Sequence, residues 1–210
     1  TGQLLKLDMT SGRQVDSVNV GGDVRHIAIN DNGSRVFVSR FITPVLPNED
    51  TANVQTGIAG GEVVVVNPIT MNILKTIQLQ VNNDSDFEAG ARGVPNYLGA
   101  PAISPDGGVA WVPSKQDNIL LGGARDGGSL NFEHTVRAIS SKIDLSNLSE
   151  VYENRIDHDN ASLVSAAAFG RYGNYLFVAL ETSREIGVLD AYRGQEIARF
   201  DVGRAPQGVV

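Results

Sequence analysis

Apolar positions along this chain fall in short runs broken by Gly, Asn, Asp and Pro, and the clearest copy of the pattern lies between Ser162 and Arg204. Residues 163–169 run into a turn at 170–174, and 175–180 follow. After 181–184 come 185–189, a turn at 190–194, and 195–202. Runs of this length between turn residues predict four antiparallel strands. The runs Val36–Val38, Val63–Val66 and Leu176–Leu180 are continuous rather than alternating, which predicts sheets covered on both faces. Outer strands such as 14–20 and 195–202 are diluted with Asp, Asn and Arg, as half-exposed edges are. No stretch carries a helical period.

The same unit recurs. Gly33, Gly107 and Gly173 each close a tight turn; Ile29, Ile103 and Phe169 stand four residues before, and Phe37, Trp111 and Phe177 four after. Val20-Gly21 and Val202-Gly203 mark the unit's start, 182 residues apart. In this frame 3–8 and 14–20 end one unit, and 24–29, 35–40, 62–67 and 73–79 form the next. Strands 97–103, 109–112, 137–144 and 150–156 form another; 205–210 begin one more. Repeated four-stranded units predict an all-β fold, a β-propeller of four-stranded antiparallel blades. The blades are bounded at 1–20, 21–81, 82–157, 158–202 and 203–210. The six register-matched apolar residues are expected to fill the gaps between blades.

The run from Val20-Gly-Gly-Asp-Val-Arg through Asp31-Asn-Gly33 to Val36-Phe-Val-Ser39 resembles the YVTN family of β-propeller repeats. Ser104-Pro-Asp-Gly107 matches that family's turn and Val202-Gly-Arg-Ala-Pro its start; Phe-Val-Ser, Trp-Val-Pro and Phe-Val-Ala replace the strand that names it. The resemblance implies an exported protein, extracellular or periplasmic, with some members linked to c-type cytochrome domains. The expectation is a partial propeller of about four blades, a fragment of a ring of about seven, whose open apolar faces a second copy would cover by self-association.

Composition narrows the function classes. A net charge of −7 with scattered basic residues argues against a nucleic-acid surface. No run approaches the roughly 18 apolar residues of a membrane helix, so no membrane insertion is expected. Without cysteine there is no disulfide, zinc-thiolate or thioether haem site within the chain. No motif calls for a cofactor, and no Gly-x-Ser-x-Gly, HExxH or Cys–His pattern marks a catalytic residue.

Loop length is the functional pointer. Strand parity puts the long insertions 41–60, 80–96 and 115–136 on one face and every tight turn on the other. Long loops carry recognition in many folds. The ligand-face candidates are Arg92, Asn96, Lys115, Asp117, Asn118, Arg125 and Asp126 in these loops. Asp157, His158 and Asp159 join them from an interblade loop expected at the central channel mouth, and Glu181 and Arg184 from the short loop of the last full blade. Each has a plain structural reading: Asp157 to Asn160 as a turn, 82–88 as a solvated acidic loop, His26 as a hydrogen-bonded strand histidine, Glu181 and Arg184 as a surface pair. Asp157 and Asp159 beside an imidazole could also hold a cation. The leading expectation is a non-enzymatic module binding a partner protein, a glycan or a small ligand. The alternatives are an accessory propeller of a c-type cytochrome or peroxidase-like protein, and a lactonase-like hydrolase.

Overall fold

A computed structural model describes residues 2–43, 60–86, 90–122 and 126–210. The chain is all-β, with its strands in four antiparallel sheets. The first is a hairpin of β1 (Gln3–Leu7) and β2 (Gln14–Asn19). The second runs β3 (Val24–Ile29), β4 (Val36–Arg40), β5 (Glu62–Val66) and β6 (Ile73–Gln78), side by side in chain order. In the third, β7 (Val94–Asn96) and β8 (Ala102–Ile103) share one edge of β9 (Val109–Asp117). On the other side of β9 lies β10 (Val136–Asp144), whose far edge carries β11 (Ser149–Glu150) and β12 (Ile156–His158). The fourth again runs in order: β13 (Val164–Phe169), β14 (Tyr175–Leu180), β15 (Glu185–Asp190) and β16 (Gln195–Asp201).

The repeat is visible in the backbone. Gly33, Gly107 and Gly173 have φ of 66°, 69° and 72°, and their N–H groups donate to Asn30, Ser104 and Gly170 carbonyls at 2.8, 2.8 and 2.9 Å. A side chain at such φ is strained, so glycine is selected there. Asp23, Tyr97 and Ala205 share a second left-handed position, at 59°, 53° and 46°, ten residues before the turn-glycine place of their units, a position at which Leu163, just ahead of the fourth sheet, is not left-handed. The first strands of the second and fourth sheets carry the same irregularity, a register shift between Val24 and His26 and between Val164 and Ala166.

The sheets stack face to face. Leu4 and Val18 of the first meet Val36, Val38, Val64 and Val66 of the second. Phe37, Val63, Val65 and Ile77, on that sheet's other face, meet Ala110, Val112 and Ile143 of the third. Trp111 and Ala138, on the far face of the third, meet Leu176, Val178 and Leu180 of the fourth. Successive residues of one strand thus serve two different cores, which is the cause of the continuous apolar runs.

The third sheet departs from expectation. The expected strand 97–103 is split into β7 and β8 by Tyr97 in a left-handed conformation. The expected 109–112 extends to Asp117, because β10 pairs with it from Val136 onward. Polar residues hid that extension: Ser114 and Gln116 are buried. The expected 150–156 is broken by a 3-10 turn at Tyr152–Asn154. A one-turn helix, α1 (Phe132–Thr135), precedes β10, and 205–210 form no strand.

Of the six register-matched residues, Phe37 and Trp111 are fully buried, Ile103, Phe169 and Phe177 are half-buried, and Ile29 is 57% exposed. The exposure of Ile29 is a correction with a clear cause. The two-stranded first sheet covers β4, β5 and Val24 at the start of β3, and leaves Ile27 and Ile29 open. At the other end, Phe177 faces the uncovered side of the fourth sheet, across from Val188, and exposed Phe200 lies across from Ile186.

Trp111 and Ile29 therefore occupy related but unequal positions. Trp111→Ala should lower stability by about 3–5 kcal/mol through the cavity it leaves, whereas Ile29→Ala should stay within about 0.5 kcal/mol. Urea denaturation of both variants checks this; equal losses would contradict the stacking order.

Candidate functional site

The irregularity in the first strands has a consequence for side-chain direction. Arg25 and Ser165 are the extra residues at the two register shifts, and a bulge re-aims the side chain it inserts. Gly99 precedes its turn glycine by the same interval, and Gln207 holds the place of Arg25 one full shift of 182 residues later. These four positions, from successive units, line one cavity of about 410 Å³ together with His26, Phe41, Tyr97, Leu163 and Glu181. Phe41 and Glu181 are also equivalent: their N–H groups donate to Asp23 and Leu163 carbonyls at 2.7 and 3.1 Å, closing the first strand pair of each sheet.

One wall of the cavity is a stack. The Arg25 guanidinium lies 3.6 Å from the Phe41 ring centre, Phe41 stacks on Tyr97 at 4.4 Å, and Lys115 Nζ lies 4.0 Å from the Tyr97 ring. Lys115 bonds Asp117 at 2.8 Å, and Asn96 Nδ2 donates to Asp117 at 2.8 Å. Cation–π contacts contribute about 0.5–2 kcal/mol each, so the row is held at both ends. Asn96 Oδ1 accepts from the Thr43 N–H at 2.9 Å, tying the start of one long loop to the end of another. The opposite wall is polar. Gln207 Nε2 donates to Glu181 at 3.2 Å, and Ser165 Oγ donates to the Pro206 carbonyl at 2.7 Å. Among the described residues no carboxylate lies within ion-pair distance of Arg25, which keeps its fork of donors for the cavity. Burial, with the Arg25 charge second, lowers the His26 pKa, so its imidazole is neutral at pH 7.

The sequence-derived candidates divide into three groups. Asn96, Lys115 and Asp117 are brought together behind the stack, and Glu181 lines the cavity. Arg92 and Asn118 meet instead on Asp86, at 3.2 and 3.1 Å. Asp126 accepts the Gly122 and Gly128 N–H groups at 3.0 and 2.8 Å, as a loop-building residue does; Arg125 lies outside the described residues. Arg184 is a left-handed turn residue (φ 65°) and makes no ion pair with Glu181 among the described residues. The described parts of 80–96 and 115–136 touch through Asp86 and Asn118, and Thr43 reaches Asn96; residues 44–59 of the first long insertion lie outside the described residues.

Asp157, His158 and Asp159 lie elsewhere. Rather than forming a loop at a central mouth, Asp157 and His158 belong to β12, which pairs with the outer edge of β10. Asp157 and Asp159 accept from Arg137 at 2.6 and 3.2 Å, so a guanidinium already occupies the place between them that a cation would need. Burial raises the Asp157 carboxyl against the pull of Arg137. The Asp159 carbonyl accepts from Arg199 on β16 at 3.0 Å, at the far side of the fourth sheet. His158 is fully buried, its Nε2 2.9 Å from Ser140 Oγ and its Nδ1 without a partner among the described residues. That pair has no path to a substrate.

The cavity residues that sequence reading missed are Arg25, Phe41, Tyr97, Ser165 and Gln207. Their signal was the register itself: Arg25 and Ser165 each stand eight residues before a turn glycine and Gln207 lies 182 after Arg25, but mixed residue types hid the equivalence.

Desolvation, with Arg199 second, pushes the His158 pKa down from 6.5 to about 3. The unfolded chain therefore takes up a proton that the folded chain refuses. The stability this represents is complete above pH 6.5 and is lost as pH falls toward 3, at about 1.4 kcal/mol per unit. His158→Gln, which keeps a polar group beside Ser140, should flatten the stability profile between pH 6.5 and 4 in urea titrations. Superimposable profiles would contradict it.

No family model and no curated protein matches the chain. Among solved structures it is similar to Kuenenia stuttgartiensis hydrazine synthase, at 12% identity and TM-score 0.48, covering 98% of this chain and 70% of that one. It is also similar to U3-55K, at 10% identity and TM-score 0.52, covering 87% of this chain and 40% of that one. At 10% identity the likeness to U3-55K concerns the fold alone.

Proposed function

We propose that the chain is a partial β-propeller of about four blades built from YVTN-type repeats, acting as a non-enzymatic binding module. The location that goes with this reading is extracellular or periplasmic. Its ligand is a small carboxylate-bearing molecule held at the inner rim, on the side of the long loops. One observation carries the reading: register-equivalent residues of successive units, Arg25, Gly99, Ser165 and Gln207, converge on a single cavity. In a ring of repeats those positions surround the axis, where a ligand touches several blades at once. Supporting it are the stacking of the sheets in chain order and the shared turn geometry.

The chemistry follows from the groups present. Arg25 supplies a rigid fork of donors that suits a carboxylate bidentately. Phe41 has one face on Arg25 and the other on Tyr97, so the rings position the guanidinium and are not themselves a free platform. Glu181, Gln207 and neutral His26 supply hydrogen-bonding groups to the rest of the ligand.

Calorimetric titration with mono- and dicarboxylates of four to six carbons tests this reading. Arg25→Ala should weaken the best binder by about 10- to 100-fold, the cost of one charge-assisted contact of about 1.5–3 kcal/mol. Glu181→Gln should shift selectivity among the acids. Saturable binding that Arg25→Ala leaves unchanged would exclude the rim cavity as the site.

A further inference from the structure

A second cavity system lies between the third and fourth sheets, at their tight-turn ends. Two adjoining spaces, of about 290 and 410 Å³, share Lys142 and Tyr192. The turn tips that line them are unusual for this chain. In the fourth sheet they read Arg171-Tyr172 and Tyr192-Arg193, where the second sheet has Asp31-Asn32 and Ile69-Thr70. The turns themselves require neither tyrosine. Gly173 and Gly194 supply the left-handed φ of 72° and 66°, and Asp190 Oδ1 accepts the N–H groups of residues 192 and 193 at 3.0 Å each. Yet Tyr172 and Tyr192 are 79% and 76% exposed. Tyr192 has no ring contact among the described residues, and Tyr172 has only Arg171, 5.7 Å from its ring centre.

Charge at this place runs against the whole chain. In a protein of net charge −7, Lys142, Arg171 and Arg193 line the groove, and none has an ion pair within 4.0 Å among the described residues. Of the three lining acids, two are committed, and Glu153 has no ion pair among the described residues. Asp106 accepts from Ser104 Oγ and the Gly108 N–H, which hold its carboxyl below the ordinary range, and Asp157 is paired with Arg137. The lining also includes Trp111, whose buried indole N–H has no hydrogen-bond partner among the described residues.

We infer that this groove binds an acidic oligosaccharide, of the uronate type. Pyranose rings present flat C–H faces that stack on exposed tyrosines, and their carboxylates match the unpaired arginines and lysine. Ring hydroxyls suit the polar lining of the smaller space, and Pro105, Val109 and Phe169 in the larger one offer apolar contact to ring C–H faces. The site shares no residue with the rim cavity, so the two stand or fall separately.

Calorimetry with oligogalacturonate of about four sugars is the test, with maltotetraose and poly-L-glutamate as comparison probes. The expected result is saturable binding of the uronate, accompanied by a change in emission from Trp111, the only tryptophan in the sequence. Tyr192→Ala and the double variant Arg171→Ala with Arg193→Ala should each weaken it by about tenfold or more. All three side chains are at exposed turns, and unchanged thermal melting shows the variants to be folded. Arg25→Ala should bind the uronate normally. No saturable binding at millimolar oligogalacturonate would overturn the proposal. So would equal binding of maltotetraose, equal binding of poly-L-glutamate, or uronate binding that survives Tyr192→Ala.

Discussion

Everything in this structure depends on sheets burying both faces at once. Val36 and Val38 pack on the first sheet while Phe37, between them, packs on the third. Each fully buried Val or Phe contributes about 1.5–3 kcal/mol, and a strand that uses both faces gains this at every position instead of every second one. The entropy of ordering so many short strands is opposed mainly by that density of burial. The same constraint dictates where the structure is weak. Where the neighbouring sheet is too narrow or lacking, Ile27, Ile29 and Phe200 stand exposed.

Sheets packed on both faces leave only their edges and connections for chemistry. The first strands meet this limit with a bulge, which turns Arg25 and Ser165 out of the pleat and into the cavity. The long connections are then held by polar ties. Arg155 illustrates how: it bonds Glu150 at 2.7 Å and the Gln80 carbonyl at 2.7 Å, joining the third sheet's outer edge to the loop before it. Its side chain and that of Glu150 are both buried. Removing one partner of such a pair would leave the other charged and desolvated, which costs more than the pair contributes.

Much of the fold was legible in the sequence, because its causes are local. Turn glycines, the spacing of apolar runs and their unbroken character follow from backbone sterics and two-sided burial, and they located β3 and β13 to β16 to within a residue or two. The third sheet was less legible because long-range pairing overrode local pattern. Buried Ser114 and Gln116 look like loop residues until β9 and β10 are seen to pair over nine positions. The candidate site divided the same way. Asn96, Lys115, Asp117 and Glu181 could be chosen from loop position alone. His158 could not be excluded, since only the pairing of β12 with β10 sends it into the core.

What the sequence by itself determined is the repeated unit: strand, glycine turn, strand, and the apolar runs that require covering on both faces. These are properties of residues near one another in the chain, and they survive any change of neighbours. Only the tertiary structure decided which positions meet. Arg25, Gly99, Ser165 and Gln207 are scattered over the length of the chain and differ in type, so no local pattern marks them. They share a cavity because equivalent strands, stacked sheet on sheet, bring equal register positions to one side. The outer-edge placement of Asp157 and the exposure of Ile29 have the same origin, namely the identity of the neighbouring strand, which is set by packing between sheets and not by the residues themselves.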